Sequence, residues 1–359
     1  MKKVYILILT LLSLTIISCD RKKDNKIVIA EVTHSVFYAP QYIALSEGIF
    51  EKNGLEVEII LASGADKVMA TLLSKDADIG LMGPEASIYV YAAGKNDYAI
   101  TFAQLTQKDG SFIVGREKIE DFKLEDLSSK EILGGRKGGM PLMSLMYVLE
   151  SNGLNPKLDD KNADINVRTD IAFAAQAGAF MQGEADFTTL FEPTATEVEL
   201  QNKGYVVSSV GKWMKPLAYT CYSSLKSYIK NNKDKIETFT KCIAEAQKWV
   251  LMHTDEEVAL SIHKYFKETD IDVLTNAIKR YREIDAYSHD PYLDEEEFKH
   301  LQNVIIASNE LDKYVPFEKL VQNAYIKWYN YYPYFIINMG IFYFVLANNN
   351  TKAKCLFNF

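Results

Sequence analysis

The chain has 359 residues, with 40 Lys and Arg against 48 Asp and Glu, a net charge of −8 and a pI near 5.3. This length exceeds what one core usually holds, so about two domains are expected. An acidic chain without a basic stripe argues against a nucleic-acid partner, because phosphate backbones are held by clustered Lys and Arg.

The first residues read as an export signal. Lys2 and Lys3 precede an apolar run from Val4 to Ile17 that is short for a membrane span. The run ends in Leu14 to Cys19, LTIISC, which resembles a bacterial lipobox cleaved before Cys19. The expectation is a signal peptide over 1–18, a lipid on Cys19 and a polar tether over 19–25. A diacylated residue would hold the folded part at a bacterial membrane, outside the cytoplasm. A plain cleaved signal with an incidental cysteine is the alternative. Cys221, Cys242 and Cys355 are then left, an odd number with no metal spacing, so neither a disulfide scaffold nor a zinc site is expected. His253, His263, His289 and His300 likewise lack metal spacing.

From Lys26 to Ile59 the pattern is strand, loop, helix, strand. Ile27, Val28 and Ile29 suit a buried parallel strand, and Thr33, His34 and Ser35 end it. Tyr38-Ala39-Pro40 turns the chain, with Pro40 suited to a helix start. Apolar residues at helical spacing run from Gln41 to Phe50, Asn53-Gly54 stops them, and Leu55, Val57 and Ile59 alternate as the second strand. Ligands of open α/β sheets lie beyond the carboxyl ends of the strands, so Thr33 to Pro40 forms one wall of a binding crevice. Ala65–Ser74 reads as a helix. The segment ADIGLMG, Ala77–Gly83, reads as a strand leading into Pro84-Glu85 and a helix through Ala93, which is the second wall.

The chain segment 98–105 is a further strand, 106–110 a polar turn, and 112–114 an extended run crossing to a second domain. Gly134 to Pro141, GGRKGGMP, is a glycine-rich loop before a helix over 142–150. Gly135, Gly138 and Gly139 let backbone N–H groups converge on an acceptor, and Arg136 and Lys137 add charge for an anion. No Lys-Ser or Lys-Thr follows as a Walker loop requires. A purely structural turn stands equally open. Residues 165–168 read as a strand and 171–181 as a helix capped by Thr169-Asp170. The segment ADFTTL, Ala185–Leu190, then repeats the ADIGLM pattern, and Phe191-Glu192-Pro193 repeats its exit. This echo indicates two similar α/β domains, each giving one Glu and Pro corner to a cleft. Residues 205–210 form a strand, 211–220 return the chain to the first domain, and 223 to about 328 read as amphipathic helices.

The segments FYAPQYIALSEGIFEKNGLEVE, ADIGLMGPEA, GGRKGGMP and GEADFTTLFEPTA together resemble solute-binding proteins for thiamine-pyrimidine precursors and their nitrate-, sulfonate- and taurine-binding relatives. The resemblance spans about 26–328. It implies an α/β, two-lobed periplasmic-binding-protein-like fold of type II with a mostly helical C-terminal part. One lobe would hold 26–112 plus 219–328 and the other 113–218, with the ligand cleft between them. It also implies a monomer that delivers a small molecule to the permease and ATPase subunits of an ABC importer. Fungal relatives that act as pyrimidine synthases use a histidine where this chain has Tyr38 and a cysteine cluster that is missing here, so an enzyme is not expected, and neither is a cofactor or a metal.

The expected ligand residues are Thr33, His34, Tyr38, Pro40, Gly83, Glu85, Gly135, Gly138, Gly139, Phe191 and Glu192. Tyr38 and Phe37 would stack on a flat ring, and Glu85 and Glu192 would accept hydrogen bonds from its amines. Core packing and helix capping are the plain alternatives. A small anion at the glycine-rich loop is the competing ligand. A catalytic role for His34, and a protein-binding surface, are the readings from other classes. From 329 to 359 an aromatic-rich tail, uncharged as far as Thr351, breaks the pattern of the chain. A membrane span, a docked extension and an altered gene end are open for it.

Overall fold

A computed structural model describes residues 25–326 and the two short strands Ile337–Asn338 and Ile341–Phe342, which pair with each other. The export signal, Cys19 and the rest of the tail lie outside the described residues. No described helix is long and apolar enough to cross a membrane.

Two mixed sheets organise the chain. The first is built from β1 (Lys26–Glu31), β2 (Glu56–Leu61), β3 (Ile79–Met82) and β4 (Ala99–Thr106), with β11 (Thr220–Leu225) inserted late, in the order β2-β1-β3-β11-β4. The second holds β5 (Phe112–Gly115), β6 (Lys130–Leu133), β7 (Pro156–Leu158), β8 (Ile165–Arg168), β9 (Phe187–Leu190) and β10 (Tyr205–Ser209), in the order β10-β5-β9-β6-β8-β7. Strands β1, β2 and β3 pair in parallel, as do β6, β7, β8 and β9. In each sheet the strand that arrives from the other sheet, β5 or β11, runs antiparallel. β11 is buried along its whole length, TCYSSL, where the expectation is a return segment and then helix from 223; its one Thr and two Ser give it no apolar strand pattern.

The two crossing segments hold each other. Leu217 N–H donates to Gln107 O at 3.0 Å, Tyr219 N–H to Thr106 O at 3.3 Å and Val210 N–H to Ser111 O at 3.0 Å. This is a two-stranded hinge. A Cβ on Gly211 would lie 2.4 Å from the Asp109 carbonyl oxygen, so only glycine lets the second crossing lie this close to the first.

Helices follow their sequence signals with three corrections. The helix expected over 41–50 is two, α1 (Ala39–Ser46) and α2 (Ile49–Lys52), because Gly48 takes φ 65° between them. The helix expected over 171–181 shrinks to a single 3-10 turn at Phe173–Ala175 and α6 (Gln176–Met181). Asp170 does not cap it, since its carboxylate grips Arg168 at 2.8 and 2.9 Å. The helix expected over 142–150 begins earlier, giving α5 (Met140–Ser151) with Gly139 before it. Between these, α3 (Ala65–Ser74) and α4 (Glu85–Ala92) complete the first sheet's cover, and α7 (Thr194–Leu200) the second's.

The C-terminal part is helical: α8 (Lys226–Asn231), α9 (Lys233–Met252), α10 (Asp255–Ile262), α11 (Ile271–Glu283), α12 (Glu295–Ala307) and α13 (Phe317–Leu320). On α9, Ile236, Phe239, Ile243, Ala246 and Val250 form the buried stripe that the 3.6-residue period requires. α10 opens with a capping box, in which Thr254 Oγ1 accepts from Glu257 N–H at 3.2 Å and Glu257 accepts from Thr254 N–H at 2.7 Å. α11 packs on both α10 and α7, and so touches elements of both sheets.

Candidate functional site

The first wall starts where β1 ends. The Glu31 carboxylate is buried and accepts from Gln41 Nε2 and the Tyr42 hydroxyl, each at 2.8 Å. His34 turns toward the helical part: Nε2 meets Tyr265 O at 2.8 Å, the ring stacks on Phe266 at 4.5 Å, and Nδ1 meets the Tyr42 hydroxyl at 2.7 Å. The Glu31 hydrogen bond raises the His34 pKa against partial burial. This arrangement ties down the loop rather than presenting an acid or base. Pro40 is buried in the first turn of α1, and Thr33 is half-buried.

Tyr38 is buried beyond this network. Burial, and then the charge of Glu31, push its phenol far above the ordinary range, so it serves as a neutral hydroxyl and a ring face. Its neighbour Phe37 reaches elements of the second sheet and the hinge: ring centroids lie 5.6 Å from Phe191, 5.7 Å from Tyr219 and 4.9 Å from Tyr281. Gly110 makes room for this. A Cβ there would stand 2.7 Å from Phe37 Cε2 and 2.9 Å from Phe191 Cε1. Gly110→Ala should therefore destabilise the fold by about 1–3 kcal/mol through overpacking. Urea unfolding checks this, and a neutral result would mean the rings part freely.

The second wall is Gly83, Pro84 and Glu85. The Glu85 side chain folds back over Gly83 so closely that a Cβ on residue 83 would lie 1.9 Å from Glu85 Oε2. Glu85 is buried, and its Oε2 has no hydrogen-bond partner among the described residues. Burial raises its pKa to about 7, while its own backbone N–H and the charge of Arg136 pull the other way.

The glycine-rich loop has Gly135 at φ 100° and Gly138 at φ 73°, with Gly139 capping α5. Its two cations are spoken for on the surface. Arg136 pairs with Asp66 across to the first sheet's α3 at 3.0 Å, and Lys137 with Asp159 at 2.9 Å. The corner at Phe191-Glu192-Pro193 differs from the expectation of a free acceptor. Glu192 Oε1 accepts from Arg280 at 2.8 Å, Oε2 accepts from Thr196 N–H at 3.0 Å, and its own N–H donates to the Tyr281 hydroxyl at 3.0 Å. Both oxygens are engaged, so this glutamate caps α7 and clasps α11.

Sequence reasoning missed three residues at the centre. Asp109 lies on the first crossing, Tyr219 on the return and Ser144 on α5; all are buried. Asp109 Oδ1 accepts from Ser111 N–H at 2.8 Å and from its hydroxyl, whereas Oδ2, the Ser144 hydroxyl and the Tyr219 hydroxyl have no partner of ordinary geometry among the described residues. The three approach one another, since both hydroxyls favour the Asp109 carboxylate against the burial that raises its pKa. Asp109-Gly110-Ser111 carries the signature of an Asx turn, the one local signal available. Tyr38, Glu85 and Tyr219 form one electrostatic neighbourhood with Asp109, which Arg136 of the loop reaches through its charge on Glu85, while the His34 ring faces the helical part. No group of side chains suited to a metal occurs among the described residues.

Two α/β sheets joined by a paired hinge, with a buried polar and aromatic cluster between them, define a periplasmic-binding-protein fold. The aliphatic sulphonate binding protein SsuA from Escherichia coli has it, with a TM-score of 0.64 and 17% identity over 84% of this chain and 99% of that one. The periplasmic nitrate-binding protein NrtA from Synechocystis PCC 6803 has it too, with a TM-score of 0.65 and 15% identity over 85% and 88%. Residues 36–257 match the family described as NMT1/THI5 like, and the chain belongs to that family. YtlA of Bacillus subtilis (strain 168), which is named as a binding protein, is 42% identical over 305 residues, covering 85% of this chain and 90% of YtlA. The chain is thus a binding protein of this fold rather than an enzyme.

Proposed function

We propose that this protein is the extracytoplasmic solute-binding component of an ABC importer, and that it closes two lobes, 26–112 plus 219–328 and 113–218, on an amine-bearing heterocycle such as a thiamine-pyrimidine precursor. In this reading the lipid on Cys19 holds a monomer at the membrane beside the permease and ATPase. The observation that carries the ligand class is the pair of buried carboxylates, Glu85 and Asp109, each with an oxygen that makes no hydrogen bond of ordinary geometry among the described residues. Such oxygens are costly to leave unmet and match N–H donors of a ligand. Tyr38, Phe37 and Tyr219 supply ring faces beside them. Ligand bridging the two walls selects the closed population.

The competing reading, a small sulfonate or nitrate at the glycine-rich loop, draws on the names of SsuA and NrtA. Against it stand the engagement of Arg136 and Lys137 with Asp66 and Asp159 and the acidity of the cleft. A melting screen of the purified protein with aminopyrimidines, thiamine, nitrate, taurine and alkylsulfonates separates the two. Binding to the folded state adds about 2.7 kcal/mol at a hundredfold excess over Kd. An aminopyrimidine is expected to shift the transition and the anions are not. A shift with a sulfonate alone would reverse the assignment.

A further inference from the structure

The proposed amine-bearing ligand leaves open where its charge sits, and the hinge answers this. We propose that Asp109, Ser144 and Tyr219 form a cation subsite that takes a primary ammonium group of the ligand; this rests on the ligand class proposed above.

The three residues come from three separate segments: the outgoing crossing, α5 of the second sheet's domain, and the returning crossing. Asp109 and Ser144 are 0% exposed and Tyr219 is 6% exposed. Each contributes one oxygen that makes no hydrogen bond of ordinary geometry among the described residues, Asp109 Oδ2, Ser144 Oγ and the Tyr219 hydroxyl, and the two hydroxyls face the carboxylate. A primary ammonium carries three N–H donors and no acceptor, so three converging acceptors, one of them charged, are its complement. The other carboxylate oxygen, Oδ1, is fixed by the backbone N–H and hydroxyl of Ser111, which sets the direction of Oδ2. Ring faces complete the surroundings, because Phe37 lies 5.7 Å from Tyr219 and an aromatic face favours a cation. The nearest cation in sequence, Lys108, is turned away to the Met214 carbonyl at 2.6 Å and does not neutralise Asp109 by a hydrogen bond. An anion would meet a carboxylate here, so the subsite also rejects sulfonate and nitrate.

The position gives the subsite a second property. Oxygens from both crossings and from one domain meet only when the domains are correctly set about the hinge, so an ammonium bound there reports closure directly.

The test titrates wild type, Asp109→Asn and Ser144→Ala with two pairs of compounds. One pair is 4-amino-5-aminomethyl-2-methylpyrimidine, protonated on its side-chain amine at pH 7, and its neutral hydroxymethyl counterpart. The other is benzylammonium and benzyl alcohol. Wild type is expected to bind the ammonium member of a pair at least tenfold tighter. Asp109→Asn should erase that preference and Ser144→Ala reduce it severalfold. Asp109→Asn should also melt at or above wild type without ligand, since a structural cap would instead melt lower. Absence of any ammonium preference in both pairs, or its survival in Asp109→Asn, overturns the subsite. Preference within the benzyl pair alone, with neither pyrimidine binding, keeps the subsite and overturns the heterocycle reading.

Discussion

Glu85→Gln should make the protein more stable at pH 8 and remove a component of its pH dependence worth about 3 kcal/mol. The reason is linkage. Burial lifts the Glu85 carboxyl from 4.5 to about 7, so the folded state binds this proton more tightly than the unfolded chain does. The resulting stability is fully present below pH 4.5 and is lost as pH rises through about 7. With about 1.36 kcal/mol for each unit of pKa difference, the whole contribution comes to about 3 kcal/mol. Glutamine keeps the shape, cannot ionise, and is spared the cost of a buried charge at high pH. Urea unfolding of both proteins at pH 5 and pH 8 reads the difference, and subtraction cancels the other raised carboxyls, Asp109, Glu197 and Glu297. An unchanged pH slope in the variant would show that water or a neighbour solvates Glu85 after all. In the ligand reading the same substitution weakens binding, the stability gained without ligand being the counterpart of an acceptor kept for ligand.

Arg280→Ala carries the other large effect, with the opposite sign. Arg280 is only 16% exposed along its side chain and donates to Glu192, Glu199 and the Thr196 hydroxyl. The Glu192 side chain is 0% exposed. Burial opposes the charge on Arg280, and the two glutamates restore it, keeping its pKa raised. Removing the arginine leaves a buried carboxylate without its counter-charge, which typically costs about 3–5 kcal/mol. The double variant Arg280→Met with Glu192→Gln should recover most of this, because both charges then leave together and Gln can still accept from Thr196 N–H. Because Arg280 stands on α11 and Glu192 at the foot of α7, the single variant should also loosen the contact between the two domains. Small-angle scattering would then report a larger radius of gyration without ligand. Equal stability of Arg280→Ala and wild type would mean that the arginine is not what holds Glu192 in place.

The clasp explains why one expected site residue has another task. Glu192 and Glu85 look alike in sequence, each beside a proline at a strand-to-helix exit, and both suit the start of a helix. Only their surroundings separate them. Glu192 meets an arginine from a helix 88 residues further on, while Glu85 folds over a glycine and its Oε2 meets no donor among the described residues.

What the sequence determined by itself is local. Alternation and apolar runs placed β1, β2, β3, β8 and β9, apolar spacing placed α3 and α9, and capping-type residues placed the starts of α10, α11 and α12, because period and caps are properties of neighbouring residues. The strand-to-helix exits at Glu85 and Glu192 were legible for the same reason, and the echo between ADIGLM and ADFTTL revealed the repeated domain plan. What only the tertiary structure decided depends on residues far apart in the chain. β11 takes its place between β3 and β4 because partners more than a hundred positions away pair with its backbone, so its hydroxyl-rich sequence carried no strand pattern. The pairing of Glu31 with Gln41, Tyr42 and His34, the turning of Arg136 to Asp66, and the meeting of Asp109, Ser144 and Tyr219 at the hinge are likewise events of packing. A polar residue reads as a surface turn until the fold buries it, and burial is set by the whole chain.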